Sequence, residues 1–257
     1  MSNYIASFVL VCFLLMPAYI QATGSDVGKE QRWAEQVIDG LLDGDEVWLD
    51  DGNGHEFLGV LTEGEKAETA VILVHGIGVH PNWPDVIYPL REGLLEAGMT
   101  SLSIQMPILA NEAESAEYAP LFAEVPGRIG AAVSYLSQAG YTRVSIVAHS
   151  MGASMTSYAM ANADVGEVES VVLIGMGPGI DGKANIDAMS KIRVPLFDLS
   201  GSEDLQQVLD SAEFRAEAGA SRSGIAFQQT VVEGANHFFQ GHEEALVETT
   251  LQWLGRF

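Results

Sequence analysis

The sequence predicts an α/β fold: a mostly parallel, twisted sheet with helices on both faces, entered through an antiparallel hairpin. Three observations carry this reading. "TAVILVHG", "RVSIVAHS" and "SVVLIGMG" are continuous apolar runs, the pattern of strands buried on both faces. Between such runs lie segments whose apolar residues recur at helical spacing, and strand–helix alternation of this kind builds a parallel sheet under covering helices. Near the start, Asp51-Gly52-Asn53-Gly54 separates two short strand-like stretches, a strong hairpin signal.

Taken in order, Thr23 to Gly28 reads as a short linker. Trp33 to Leu42 follows as a helix, with Trp33, Val37, Ile38, Leu41 and Leu42 on one face. Glu46–Leu49 and Glu56–Leu61 are the hairpin strands. After the buried strand "TAVILVHG", a helix from about Asp85 to Ala97 places Ile87, Leu90 and Leu94 on one stripe and stops at Gly98. "TSLSIQMP" is the next strand. A helix starting near Pro126 turns Ile129, Val133 and Leu136 inward and ends at Gly140. "RVSIVAHS", a helix through Tyr158, "SVVLIGMG", a short helix, "VPLFDLSG", another helix, "FQQTVVEG" and a closing helix to Trp253 complete a single domain over 23–257. The loop from Gly175 to Ile192 is short, which leaves no room for a large lid. A modest cover is expected from Ile108 to Val125.

The chain opens with an apolar stretch, Ile5 to Ile20, broken only by Ser7 and Pro17. It is too short and too terminal for a membrane span but fits a signal-peptide core, with cleavage after Ala22 leaving Thr23 first. This predicts an exported protein, periplasmic or secreted, with no stable membrane span in the mature chain. The alternative is an uncleaved N-terminal anchor. Cys12, the only cysteine, lies inside this segment, and Val11 stands where a lipoprotein box needs a small residue. The mature chain would have neither a disulfide nor a cysteine nucleophile. With 35 acidic residues against 12 basic ones, the net charge of −23 repels phosphate backbones and argues against a nucleic-acid partner. Nothing in the sequence points to an oligomeric state.

Chemistry enters at "AHSMG". Ser150 ends a buried strand, and small residues flank it at Ala148 and Gly152. A serine on so sharp a strand-to-helix turn projects its hydroxyl outward, and the close approach of strand and helix demands small neighbours. The helix that follows offers free N–H groups and a positive dipole end beside the hydroxyl. The bland alternative is an ordinary helix N-cap serine.

"AHSMG" resembles the nucleophile elbow of the α/β-hydrolase superfamily, G-x-S-x-G, with Ala148 in place of the first glycine. "ILVHGIG", Ile72 to Gly78, resembles that superfamily's oxyanion loop. By this resemblance the backbone N–H groups of Ile77 and Met151 form an oxyanion hole, while His75 braces the loop. The same resemblance places the general base near the C-terminus, at His237 in "VVEGANHFF", ahead of His242 as a surface rival. It places the acid at Asp204 in "GSEDLQQ", after the strand "PLFDLSG", ahead of Asp198 within that strand. Ser150, Asp204 and His237 follow the chain order of that fold. The stretch "HGIGVHPNWPDVIYPLREGLLEAG" is also similar to an uncharacterised group of exported bacterial proteins within the superfamily. The implied activity is a serine hydrolase cleaving a small carboxylic ester through an acyl-enzyme, with no metal and no organic cofactor. Esterase, lipase, thioesterase and amidase chemistry share these motifs.

Two other readings compete. A non-catalytic hydrolase-fold binding protein would be expected to lack a triad member. A phosphate- or nucleotide-binding protein would use "GPGIDGKA", Gly177 to Ala184, which nearly spells a phosphate loop. That loop puts Ala184 where a hydroxyl is needed and loses an N–H at Pro178. Trp83 either packs near the oxyanion loop or borders the substrate cleft. Acids Glu112, Glu114, Glu117 and Glu124 suggest a rim that disfavours anionic substrates.

Overall fold

A computed structural model describes residues 24–257. The expected signal segment, 1–22, and Cys12 lie outside the described residues. The elements run α1 (Val27–Gly40), β1 (Asp45–Asp50), β2 (Glu56–Thr62), β3 (Thr69–Val74), α2 (Ile87–Glu96), β4 (Thr100–Ile104), a 3-10 segment (Ser115–Glu124) and α3 (Val125–Gln138). They continue with β5 (Arg143–His149), α4 (Met151–Asn162), β6 (Ser170–Ile174), α5 (Ala184–Met189), β7 (Leu196–Glu203), α6 (Gln206–Asp210), α7 (Ala212–Ala220), β8 (Phe227–Asn236) and α8 (Glu243–Leu254).

The eight strands form one sheet in the order β1-β2-β4-β3-β5-β6-β7-β8. β1 pairs antiparallel with β2, and β2 antiparallel with β4. From β4 onward every pairing is parallel. The fold is therefore the expected one: a mostly parallel sheet, an N-terminal hairpin, and helices on both faces.

The alternation of side chains along β3 explains the layers. Ala70, Ile72 and Val74 face a core shared with Ile129, Val133 and Leu136 of α3 and Ala153 of α4. Val71 and Leu73 face the opposite core, closed by Leu90 and Leu94 of α2 and Leu246 and Trp253 of α8. Trp253 stacks on Phe197 at 5.3 Å between ring centres. Ala34 and Val37 of α1 cover Leu58 and Val60 of β2.

The main departure from expectation lies in α1. It begins at Val27, not Trp33, so Val27 and Gly28 belong to the helix rather than to a linker. Asp26 caps it, its carboxylate accepting the Lys29 N–H at 2.9 Å. Lys29 and Glu30 are buried despite their charge because partners far along the chain meet them. Lys29 Nζ donates to the Leu109 carbonyl, and Arg128 of α3 donates two hydrogen bonds to the Glu30 carboxylate, at 2.7 and 3.0 Å. His55 of the hairpin lies 2.9 Å from the same carboxylate. No local pattern reveals such pairs, and the sequence reading leaves Lys29 and Glu30 between the expected linker and the expected helix. Likewise the helix expected after β7 is two, α6 and α7, meeting at Ser211.

Candidate active site

Ligands of open parallel sheets bind beyond the carboxyl ends of the strands, and all the candidate residues lie there. Ser150 follows β5 with φ 55° and ψ −120°, a backbone conformation that a residue with a side chain rarely adopts. Its N–H is held by the Ile174 carbonyl of β6 at 2.8 Å. The turn is tight enough that a methyl group on Gly152 would meet the His75 carbonyl oxygen at 2.2 Å. Glycine is required there because α4 passes directly against the end of β3. Although Ser150 occupies the N-cap position of α4, its side chain makes no capping hydrogen bond. The hydroxyl is turned elsewhere.

It is turned to His237. Ser150 Oγ lies 2.9 Å from His237 Nε2, and His237 Nδ1 lies 2.6 Å from Asp204 Oδ1. Three residues dispersed from 150 to 237 are thus drawn into one line of hydrogen bonds. Asp204 and His237 are almost fully buried. Burial by itself would raise the Asp204 carboxyl. The bond and charge of His237, with the N–H groups of Leu205 and Gly201, outweigh it and hold Asp204 below its ordinary value. A carboxylate kept ionised against an imidazole Nδ1–H fixes the tautomer in which Nε2 faces the serine.

The rivals fall elsewhere. Asp198 sits inside β7, bound through both carboxylate oxygens to Arg215 of α7 and to Gln229 of β8. His242 is the N-cap residue of α8.

Two further histidines frame the site, and neither is free to move protons. His75 Nδ1–H donates to the Gly76 carbonyl at 2.7 Å, while its Nε2 accepts the Met106 N–H at 2.9 Å. A trans peptide points its carbonyl and N–H in opposite directions, so holding Gly76 C=O toward His75 turns the Ile77 N–H away from it. Burial lowers His75 to about 3. His149 Nε2–H donates to the His237 carbonyl at 2.9 Å, which steadies the backbone of that residue. Burial and the neighbouring His237 lower His149 to about 4. In sequence His149 had only occupied the elbow's variable position, and no local signal tied it to a residue 88 positions on.

Ile77 and Met151 both line the cleft beside Ser150. Among the described residues neither backbone N–H donates to another group, so both remain available to an incoming oxygen. The cleft encloses about 550 Å³, the range of small-molecule sites. Phe122 of the 3-10 segment walls one side, as expected of a cover between Ile108 and Val125. Trp83 lines the cleft and also packs against His80, so both readings of it hold. At the mouth, Ile180, Leu205 and Phe238 are exposed hydrophobics contributed by three separate loops.

The acidic rim expected from 112–124 is only partly such. Glu124 pairs with Arg128, and Glu117 turns back to accept the Glu114 N–H in a capping box. The Gly177–Ala184 loop does not resemble an open phosphate nest, because the Asp181 carboxylate already accepts the N–H groups of Lys183 and Ala184. Among the described residues no His, Cys, Asp and Glu cluster has metal-binding geometry, and no helix is long and apolar enough to cross a membrane.

Comparison with known proteins agrees on the fold. Residues 21–125 match a family described as protein of unknown function, DUF3530. The match covers His75 to Ile77 but ends before Ser150, Asp204 and His237. No curated protein matches the chain. Among solved structures, dienelactone hydrolase from Anabaena variabilis is similar at a TM-score of 0.66 and 20% identity, over 84% of this chain and 99% of that one. An esterase of Pyrococcus furiosus is similar at a TM-score of 0.65 and 16% identity, over 86% of this chain and 95% of that one. Est1E from Butyrivibrio proteoclasticus is similar at 0.60 and 16%, over 83% of this chain and all of that one, 100%. The chain has the fold of α/β hydrolases.

Proposed function

We propose that this chain is a serine hydrolase that cleaves small carboxylic esters. One observation carries the reading: the line from Ser150 Oγ through His237 to Asp204, at 2.9 and 2.6 Å, stands at the floor of an apolar-walled cleft. In this mechanism Ser150 Oγ attacks the ester carbonyl while His237 Nε2 accepts the hydroxyl proton. Asp204 holds the ring and stabilises its charged form. The carbonyl oxygen, now carrying the negative charge, is met by the N–H groups of Ile77 and Met151, each worth about 3 kcal/mol of barrier. The C–O bond then breaks, His237 gives its proton to the departing alkoxide, and the acyl group stays on Ser150. Water, deprotonated by His237, repeats the attack and frees the acid. No metal or organic cofactor is needed for any step.

The exposed apolar mouth supports an organic ester as substrate rather than a polar polymer. We place the activity outside the cytoplasm, in the periplasm or beyond, on the strength of the leader-like residues 1–22.

The test is labelling with a fluorophosphonate probe and turnover of p-nitrophenyl esters, with wild type and Ser150→Ala side by side. The expected result is labelling of wild type alone and a fall in kcat of at least roughly 10³-fold in the variant. Ester hydrolysis unchanged by Ser150→Ala would overturn the proposal. Well-folded wild type that neither labels nor turns over would favour a binding protein instead.

A further inference from the structure

Asp85 has no role in the mechanism above, yet it lines the same cleft. It is half-buried, and among the described residues it takes part in no ion pair. The only hydrogen-bond partner of its carboxylate there is a neutral one, Gln240 Nε2 at 3.2 Å. The residues lining the cleft include no lysine and no arginine. Partial burial of a carboxylate without a counter-ion is unfavourable, and a ligand that brings the missing charge recovers the loss. The walls around it suit such a ligand: Trp83 and Phe238 both line the cleft, and aromatic faces attract organic cations.

The position of Asp85 also says which half of the ester the cation belongs to. Gln240, its partner, lies on the short segment that carries His237 and Phe238, and Phe238 packs edge-on against the His237 ring at 5.1 Å. His237 is the residue that hands its proton to the departing alcohol. The carboxylate is thereby tied to the segment whose histidine serves the departing alcohol.

We propose that Asp85 is a specificity-determining residue that selects esters whose alcohol portion carries a positive charge, an amino alcohol or a quaternary ammonium alcohol. The inference rests on the hydrolase reading above. It turns a general preference against anions into a defined subsite.

The experiment compares kcat/KM for butyrylcholine with that for its uncharged isostere, 3,3-dimethylbutyl butyrate, in wild type, Asp85→Asn and Asp85→Glu. Wild type should favour the cationic ester by about 10-fold or more, the scale of a partly desolvated cation–carboxylate and cation–π contact. Asp85→Asn should bring that ratio close to one, and Asp85→Glu should restore most of it. The ratio is internal to each protein, so a loss of folded material leaves it readable. A wild-type ratio near one, or a preference that survives in Asp85→Asn, overturns the proposal while leaving the hydrolase intact. Failure of wild type to cleave either ester, or any neutral ester, would strike the hydrolase reading itself and this inference with it.

Discussion

Asp198 and Asp204 come from one strand, the first within β7 and the second just past its end, and the fold treats them differently. Asp198 is enclosed between α7 and β8, where Arg215 reaches both of its oxygens and Gln229 adds a third bond. Burial nonetheless pushes its carboxyl up, against the pull of that arginine and glutamine. Asp204 lies just past the carboxyl end of β7, faces a histidine, and is held below its ordinary value. The first ties helix to sheet, and the second orients a ring that meets the cleft. What separates them is which side of the last strand residue the chain places them on, since only positions past that end look onto the ligand crevice.

The sharpest way to break this contrast is to neutralise the outer carboxylate. Asp204→Asn should lower kcat by about 10⁴-fold, because the amide no longer enforces the working tautomer of His237. Its thermal unfolding should move little by comparison. A kcat within tenfold of wild type would show that Asp204 is not the orienting acid. The inner pair should behave in the opposite way. Arg215→Met leaves Asp198 buried and unpaired and should cost about 3–5 kcal/mol in denaturant unfolding, while the folded fraction keeps its turnover number. The double change Arg215→Met with Asp198→Leu should recover most of that loss, because no charge is then left inside. If the double variant is as unstable as the single one, packing rather than charge holds α7 in place.

The smallest effect separates the two by sign. A carboxyl lowered by the fold stabilises above its ordinary pKa, near 3.8, and loses that contribution as pH falls through the lowered value. A carboxyl raised by the fold favours the folded state when protonated, and that advantage fades as pH rises through the raised value. The stability difference between wild type and Asp204→Asn, followed by urea unfolding, should therefore shrink as the pH is taken below 3.8. A difference that grows on acidification would reverse the assignment.

The same contrast explains what could be read from sequence. Strand ends carry local punctuation: "AHSMG", "GSEDLQQ" and "EGANHFF" each break an apolar run with small or polar residues. Chain order then matches the serine to the acid and the histidine. Residues that act across the fold carry no such mark. Asp85 looks like the start of a helix until Gln240 is seen beside it, and His149 looks like spacer until its bond to the His237 carbonyl appears. Lys29 and Glu30 carry charge and no helical pattern of their own, yet both are buried. In each case the deciding neighbour lies tens of residues away.

Glu30 and Arg128 are separated by 98 residues. At ordinary rates of synthesis that interval lasts roughly 5–20 s. Throughout it the first described helix exists without the cation that its carboxylate will be buried against, so it is better left in water than docked. The strands β1 to β4 are complete before that point, but the clasp over the hairpin closes only when α3 arrives. The first described helix is thus bound to wait for a partner made after four strands of the sheet, and its docking couples the start of the fold to its middle.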